Sequence, residues 1–351
     1  MIDYIKQTPF ILSDILRKKG TVSKLFLDSI KDKEIKQIYL LGSGTSCHAG
    51  IAVKHFLETI LKCKVFPMFP LVFIDQEMIF DEKTLIIGIS QSGTSLSTIR
   101  ALDKARNDGL LTLALSGMEN SEIEKHADSY IPILCGIENA VAKTKGYSAT
   151  LLTLYIMGLE FAYNKKTISK IDYIEYYESL QKTIKNIDPL IDASINWYGK
   201  IKSYLIGKPQ LMVIGYDANY GTMMEATLKL LETVRIAVSG YELEEFMHGI
   251  YNSINSNSTL FYIGSKSQYL DRAKKLKHYL LNTTKNQFML SRDASDKNDF
   301  CFPFVDDKYF STLEYIIPFQ CLSYLLSVDS GIDPSQPSDP KFHKNMNSKL
   351  V

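Results

Sequence analysis

The stretch 85–95, Leu-Ile-Ile-Gly-Ile-Ser-Gln-Ser-Gly-Thr-Ser, constrains this chain more than any other. Its first five residues have no polar alternation, the pattern of a strand buried on both faces. A turn crowded with hydroxyls follows, and then apolar residues at helical spacing over 96–110. Strand, polar turn and helix together aim the first N–H groups of the helix at whatever occupies the turn, which suits an anion. Ser90, Ser92, Thr94 and Ser95 would add side-chain donors, and Gly93 lets the backbone come close. The turn holds no lysine, so it is not a nucleotide P-loop. It suits a phosphate monoester held by neutral donors, such as the end of a sugar phosphate. A serine-rich N-cap turn accounts for the same residues, and the turn alone does not separate the two readings.

The surrounding order is α/β. Strands are predicted at 37–41, 65–69, 85–89, 111–115 and 130–134, with helices at 51–61, 96–110, 119–127 and 144–162. The order restarts with strands at 210–215, 259–264, 287–290 and 302–305 and helices at 222–235, 268–281 and 309–326. Alternating strands and helices predict parallel sheets with helices on both faces. The domains expected are a helical segment over 1–34, an αβα unit over 35–165, a linking helix over 166–200, a second αβα unit over 201–328 and a tail over 329–351. Within 1–34, Pro9 is expected to interrupt the first helix and Gly20 to stop it. A dinucleotide fold is the obvious rival. Its glycine-rich turn would be 42–47, but Cys47 stands where the third glycine belongs, and 61–74 lacks the acidic ribose ligand.

Bulk properties exclude other classes. A formal charge of +1 gives no global field to attract nucleic acid or an anionic membrane. Five scattered cysteines without a CxxC argue against a disulfide framework or a zinc site and for a reducing compartment. No metal-ligand spacing is visible. The opening residues are not those of a signal peptide, and no apolar run is long enough to span a bilayer. The expectation is a cytoplasmic protein that needs no cofactor or metal and has no nucleic-acid or membrane partner.

Glu225, Lys229 and Glu232 stand at i, i+4 and i+7 of one predicted helix and share a face. A salt-bridged surface stripe is the ordinary reading of that pattern on an unplaced helix. Their helix follows a strand and a polar turn, however, and so should start at the edge of the sheet where α/β ligands bind. His248 follows a charged turn, sixteen positions after Glu232, and an imidazole exchanges protons near neutral pH.

These motifs resemble the sugar isomerase (SIS) family. The resemblance rests on Gly44-Thr45-Ser46, Ser90-Gln91-Ser92-Gly93-Thr94-Ser95 and the duplicated units. In the second half, 225–232 and 241–249 resemble the isomerase domain of glucosamine-6-phosphate synthase. The fold it implies is two αβα SIS domains with flavodoxin-like layers. The resemblance implies that Glu232 shuttles a proton between C1 and C2 and that Lys229 orients the carboxylate or handles substrate oxygens. It also implies that His248 opens the sugar ring from the neighbouring subunit of a homodimer with a shared site. Thr45, Ser46, Ser90, Gln91, Ser92 and Ser95 would bind substrate. Segment 141–145 is similar to one whose backbone lines the sugar pocket, which adds Val141 and Lys143. The synthase's tail lysine has no counterpart at its spacing here. Of Lys341, Lys344 and Lys349, Lys344 is the first choice to enter the site, and a solvated basic tail is the alternative.

The synthase's glutamine-hydrolysing part has no counterpart at Met1-Ile2-Asp3, so glutamine-dependent synthesis is not expected. Aldose–ketose isomerisation, deamination of an amino-sugar phosphate and deglycation of a fructosamine 6-phosphate remain open. The non-enzyme alternative is a sugar-phosphate sensor, for which the basic footprint of a DNA reader is missing.

Overall fold

The computed structural model describes residues 1–31, 33–76 and 80–350. The chain divides into two compact units. The first-sheet unit is Phe10–Asn139, Lys145–Tyr177 and Ser338–Val351, and the second-sheet unit is Met1–Pro9, Ala140–Thr144 and Glu178–Pro337.

Helices α1 (Ile2–Arg17) and α2 (Lys19–Ser29) precede the first strand. Two expectations fail here. Pro9 lies inside α1 without ending it, because one lost backbone bond is outweighed by an apolar stripe in which Ile5, Leu12 and Ile15 are all buried. Gly20 does not stop a helix either. The break falls at Lys18, and Gly20 sits in the first turn of α2, where N–H groups have no intrahelical partner anyway.

The first sheet contains β1 (Gln37–Leu41), β2 (Lys64–Met68), β3 (Thr84–Ile89), β4 (Leu111–Ser116) and β5 (Ser129–Pro132). Among the described residues every pairing is parallel, in the order β2-β1-β3-β4-β5. β3 is buried along its whole length, as its unbroken apolar run requires for a central parallel strand. Around the sheet lie α3 (Thr45–Leu61), α4 (Pro70–Asp75), α5 (Leu96–Asn107) and α6 (Lys145–Asn164), followed by α7 (Lys170–Ile201). One face of this sheet is filled by Tyr39, Ile86, Ile99, Leu102 and Ile123.

The second sheet contains β6 (Gln210–Gly215), β7 (Ala237–Glu242), β8 (Leu260–Ile263), β9 (Gln287–Ser291) and β10 (Phe300–Cys301), with helices α8 (Asn219–Val234), α9 (Leu270–Leu280) and α10 (Thr312–Asp329). Its order, β7-β6-β8-β9-β10, repeats that of the first sheet strand for strand. The sequence pattern missed edge strand β7, where Ser239 and Gly240 dilute the β signal. It also misplaced the last strand. The Phe302 N–H still reaches Ser291 O of β9 at 3.4 Å, but beyond it the chain leaves the sheet, where Glu314 takes the N–H groups of Val305 and Asp306 at 3.0 and 3.1 Å. The Phe302 and Phe304 rings pack with Phe300 and Tyr315 instead, Phe304 stacking on Tyr315 at 4.2 Å. A final short helix, α11 (Phe342–Asn345), lies in the tail.

Candidate active site

In a sheet ordered 2-1-3-4-5 the crossovers from the first and third strands leave on opposite sides, and ligands settle in the crevice beyond the carboxyl ends of those two strands. In the first-sheet unit the turn after β1 carries Thr45 and Ser46, and the turn after β3 carries residues 90–95. The topology therefore brings the two predicted binding turns to one edge.

The 90–95 turn is tightly tied. Ser90 is buried, donates its N–H to Leu115 O at 3.0 Å, and its Oγ accepts the Ser95 N–H at 3.4 Å. Ser92 Oγ and Thr94 Oγ1 are 3.0 Å apart. Ser95 is the N-cap residue of α5, yet its side chain makes no capping bond. Its Oγ instead accepts from Thr98 Oγ1 at 3.1 Å. The simple capping account therefore does not hold at Ser95. Gln91 points its amide at Cys135 Sγ, 3.6 Å away. A Cβ on Gly117 or Gly146 would come within 3.3 or 2.8 Å of that nitrogen, so both glycines leave room for the side chain. On the β1 side, Gly44 adopts φ +53° just before Thr45 and Ser46 open α3. Ser46 and His48 are buried there.

The tail lies along the same turn. Lys349 forms an antiparallel bridge with Ser95, Ser348 O accepts the Leu96 N–H at 3.3 Å, and the Leu350 N–H donates to Thr94 O at 3.0 Å. Lys344 sits on α11, exposed, and Lys349 is the tail lysine whose backbone meets the turn. His343 Nδ1 is 2.7 Å from Ser348 Oγ. Burial pushes that imidazole below its ordinary range, and the charge of Lys349 adds to the effect. Lysine spacing along the tail carried no signal for this β-type pairing.

In the second-sheet unit the charged stripe is a buried triad. Glu225 and Lys229 have side chains 0% and 1% exposed, while that of Glu232 is 31% exposed. Lys229 Nζ is 3.3 Å from Glu225 Oε1 and 2.6 Å from Glu232 Oε2. Burial pulls the Lys229 ammonium down, but the two carboxylates outweigh it and hold its pKa above the ordinary lysine value. Among the three, Glu232 is the member that reaches solvent. His248 follows a short 3-10 turn (Glu245–Met247) and is exposed. Val141 and Lys143 belong to the segment Ala140–Thr144, in which Thr144 O accepts from Gln320 Nε2 at 3.2 Å.

The second sheet has its own switch point between β6 and β8, with different chemistry. Lys266 donates its N–H to Asp306 at 2.9 Å, and Ser267 Oγ bonds Asp217. Carboxylates there use donors that the first unit's turn could offer to an anion. Among the described residues no cluster of His, Cys, Asp and Glu could hold a metal ion, and no helix is long and apolar enough to cross a membrane.

Comparison with known proteins agrees with the fold of two parallel sheets. The SIS domain model matches residues 33–159. A glutamine–fructose-6-phosphate aminotransferase (isomerizing) from Caldanaerobacter subterraneus subsp. tengcongensis is 28% identical over 96% of this chain, which spans 57% of that protein's length. The crystal structure of a candidate phosphosugar isomerase from Clostridium difficile 630 is 35% identical, with a TM-score of 0.92, covering 99% of this chain and 98% of that one. A candidate sugar-binding protein from Salmonella typhimurium LT2 is 30% identical, with a TM-score of 0.82, covering 92% and 98%. With that likeness running the length of both sheets, the chain belongs to the SIS domain family and is built from two α/β domains of the SIS type.

Proposed function

We propose that the chain is a phosphosugar isomerase-type enzyme acting on a keto- or amino-sugar 6-phosphate by proton transfer between C1 and C2. The observation that carries this reading is the triad on α8. A fully buried ammonium holds one half-exposed carboxylate at 2.6 Å, and a carboxylate fixed in this way suits a base that must take and return a proton at one place. Residues 90–95, with Thr45 and Ser46, hold the phosphate and the sugar. Glu232 takes the proton from one carbon, leaving an enediol or enaminol, and returns it to the other. Lys229 fixes the carboxylate's direction and Glu225 holds Lys229. His248 moves the proton between ring oxygen and hydroxyl as the ring opens, and its exposure fits a role across the interface of a homodimer. Val141 and Lys143 contact the sugar, and the tail closes over the turn through Lys349.

The test is to incubate the protein in D₂O with fructose 6-phosphate, glucosamine 6-phosphate and a fructosamine 6-phosphate, and to follow C1 and C2 by NMR. Deuterium is expected at one of those carbons, and the substrate that turns over names the reaction. A tightly bound sugar phosphate without any exchange would sink the enzyme reading. Replacing both Ser90 and Ser92 with Ala should weaken binding about tenfold or more, since each lost neutral hydrogen bond costs roughly 1 kcal/mol. Unchanged affinity would put the phosphate elsewhere. The shared site has its own check. Glu232→Gln and His248→Ala variants, each inactive alone, should regain activity when mixed and allowed to exchange subunits; no recovery in proven mixed dimers would refute it.

A further inference from the structure

The reading of residues 90–95 as a phosphate cradle leaves open what makes its backbone face an anion. On that reading, we propose that Ser121 and Glu124, which lie behind the turn, position its anion-binding amides. A trans peptide is planar, so its C=O and N–H point opposite ways. Gly93 O accepts the Ile123 N–H at 3.0 Å, which turns the Thr94 N–H of the same peptide away from residue 123. Gln91 O accepts the Gly117 N–H at 3.1 Å, which turns the Ser92 N–H away in the same manner. Both anchors come from the segment after β4. Either carbonyl swung outward would present negative charge to a phosphate.

The anchor at Ile123 is itself held by a capping box. Ile123 lies in the first turn of a 3-10 helix (Glu122–His126). Glu124 Oε1 accepts the Ser121 N–H at 2.8 Å and lies 3.3 Å from Ser121 Oγ. Ser121 Oγ is also 3.1 Å from the buried Ser116 Oγ. Gly93 rests directly on Ser121: a Cβ there would sit 2.2 Å from Ser121 Cβ and Oγ, and φ is +68°. The box thus fixes the seat of the turn and the N–H that draws its carbonyl inward. The sequence carries the signal as Ser-x-x-Glu at 121–124, a capping-box signature.

The experiment compares wild type, Glu124→Ala and Glu124→Gln by titrating inorganic phosphate into each folded protein and measuring kcat and KM for deuterium exchange. Glu124→Ala is expected to raise the phosphate Kd and the KM together by about fivefold to tenfold, the effect of one lost hydrogen bond, with kcat unchanged. Glu124→Gln, whose amide oxygen still accepts the Ser121 N–H, should stay within about twofold of wild type. A merely structural role would lower the melting temperature and leave the phosphate Kd of the folded protein alone, and that result overturns the inference. If Glu124→Ala loses its native circular dichroism, Ser121→Ala decides by the same titration: weakened phosphate binding supports the inference and unchanged binding overturns it. A wild-type protein that binds neither phosphate nor sugar phosphate removes the cradle reading itself. Wild-type binding matched by Glu124→Ala removes only the positioning role.

Discussion

Glu232→Gln is expected to bind a sugar phosphate as tightly as wild type and to lose deuterium exchange at C1 and C2 by about a hundredfold to ten-thousandfold, the usual contribution of a positioned general base. Glutamine keeps an oxygen for Lys229, which lies 2.6 Å from Glu232 Oε2, so the local packing survives. It cannot accept the substrate proton. The contrast with Glu225 is built into the geometry, because that carboxylate is wholly buried while Glu232 is the one open to solvent. NMR integration in D₂O reads the rate, and a titration reads the affinity. Full exchange activity in this variant would move the base to another residue.

The second large effect is on stability. Lys229→Met removes the ammonium that faces a carboxylate with no solvent exposure. Breaking a buried ion pair from one side costs about 3–5 kcal/mol, because the remaining charge is stranded. Urea unfolding at neutral pH should show that loss, and adding Glu225→Gln to the variant should recover part of it. A Lys229→Met protein as stable as wild type would mean that Glu225 does not depend on this partner. The sign with pH follows from the raised pKa of Lys229. A raised lysine contributes stability that is complete below its ordinary value and is lost as pH rises through the elevated one. The wild-type contribution is therefore intact at neutral pH and declines only in strong alkali.

The order of elements could be read from the sequence because unbroken apolar runs such as 85–89 fit a parallel strand and little else. The 90–95 turn was legible for the same reason, as a polar turn between a strand and a helix. The charged stripe of Glu225, Lys229 and Glu232 was legible as a face but not as a buried one. Acidic and basic residues four apart decorate many exposed helices. Their helix is fixed by non-local packing: Ser323 O of α10 accepts from Thr233 Oγ1 of α8 at 3.0 Å. That pairing joins residues 90 positions apart, beyond any local pattern. Strand β10 was misplaced for a different reason. The phenylalanines at 302 and 304 alternate like a strand, but the N–H groups of Val305 and Asp306 just after them bond the Glu314 side chain.

The turn after β8 gives the repeat a direction. Asp306 and Asp217 there satisfy the Lys266 N–H and the Ser267 hydroxyl. These carboxylates place negative charge at the second switch point, where the first presents hydroxyls and backbone amides, so an anion meets opposite electrostatics in the two copies. The same strand order therefore carries two different chemistries at its switch points, acidic in one copy and hydroxyl-rich in the other. Two copies of one topology thus become unequal parts that could not be exchanged.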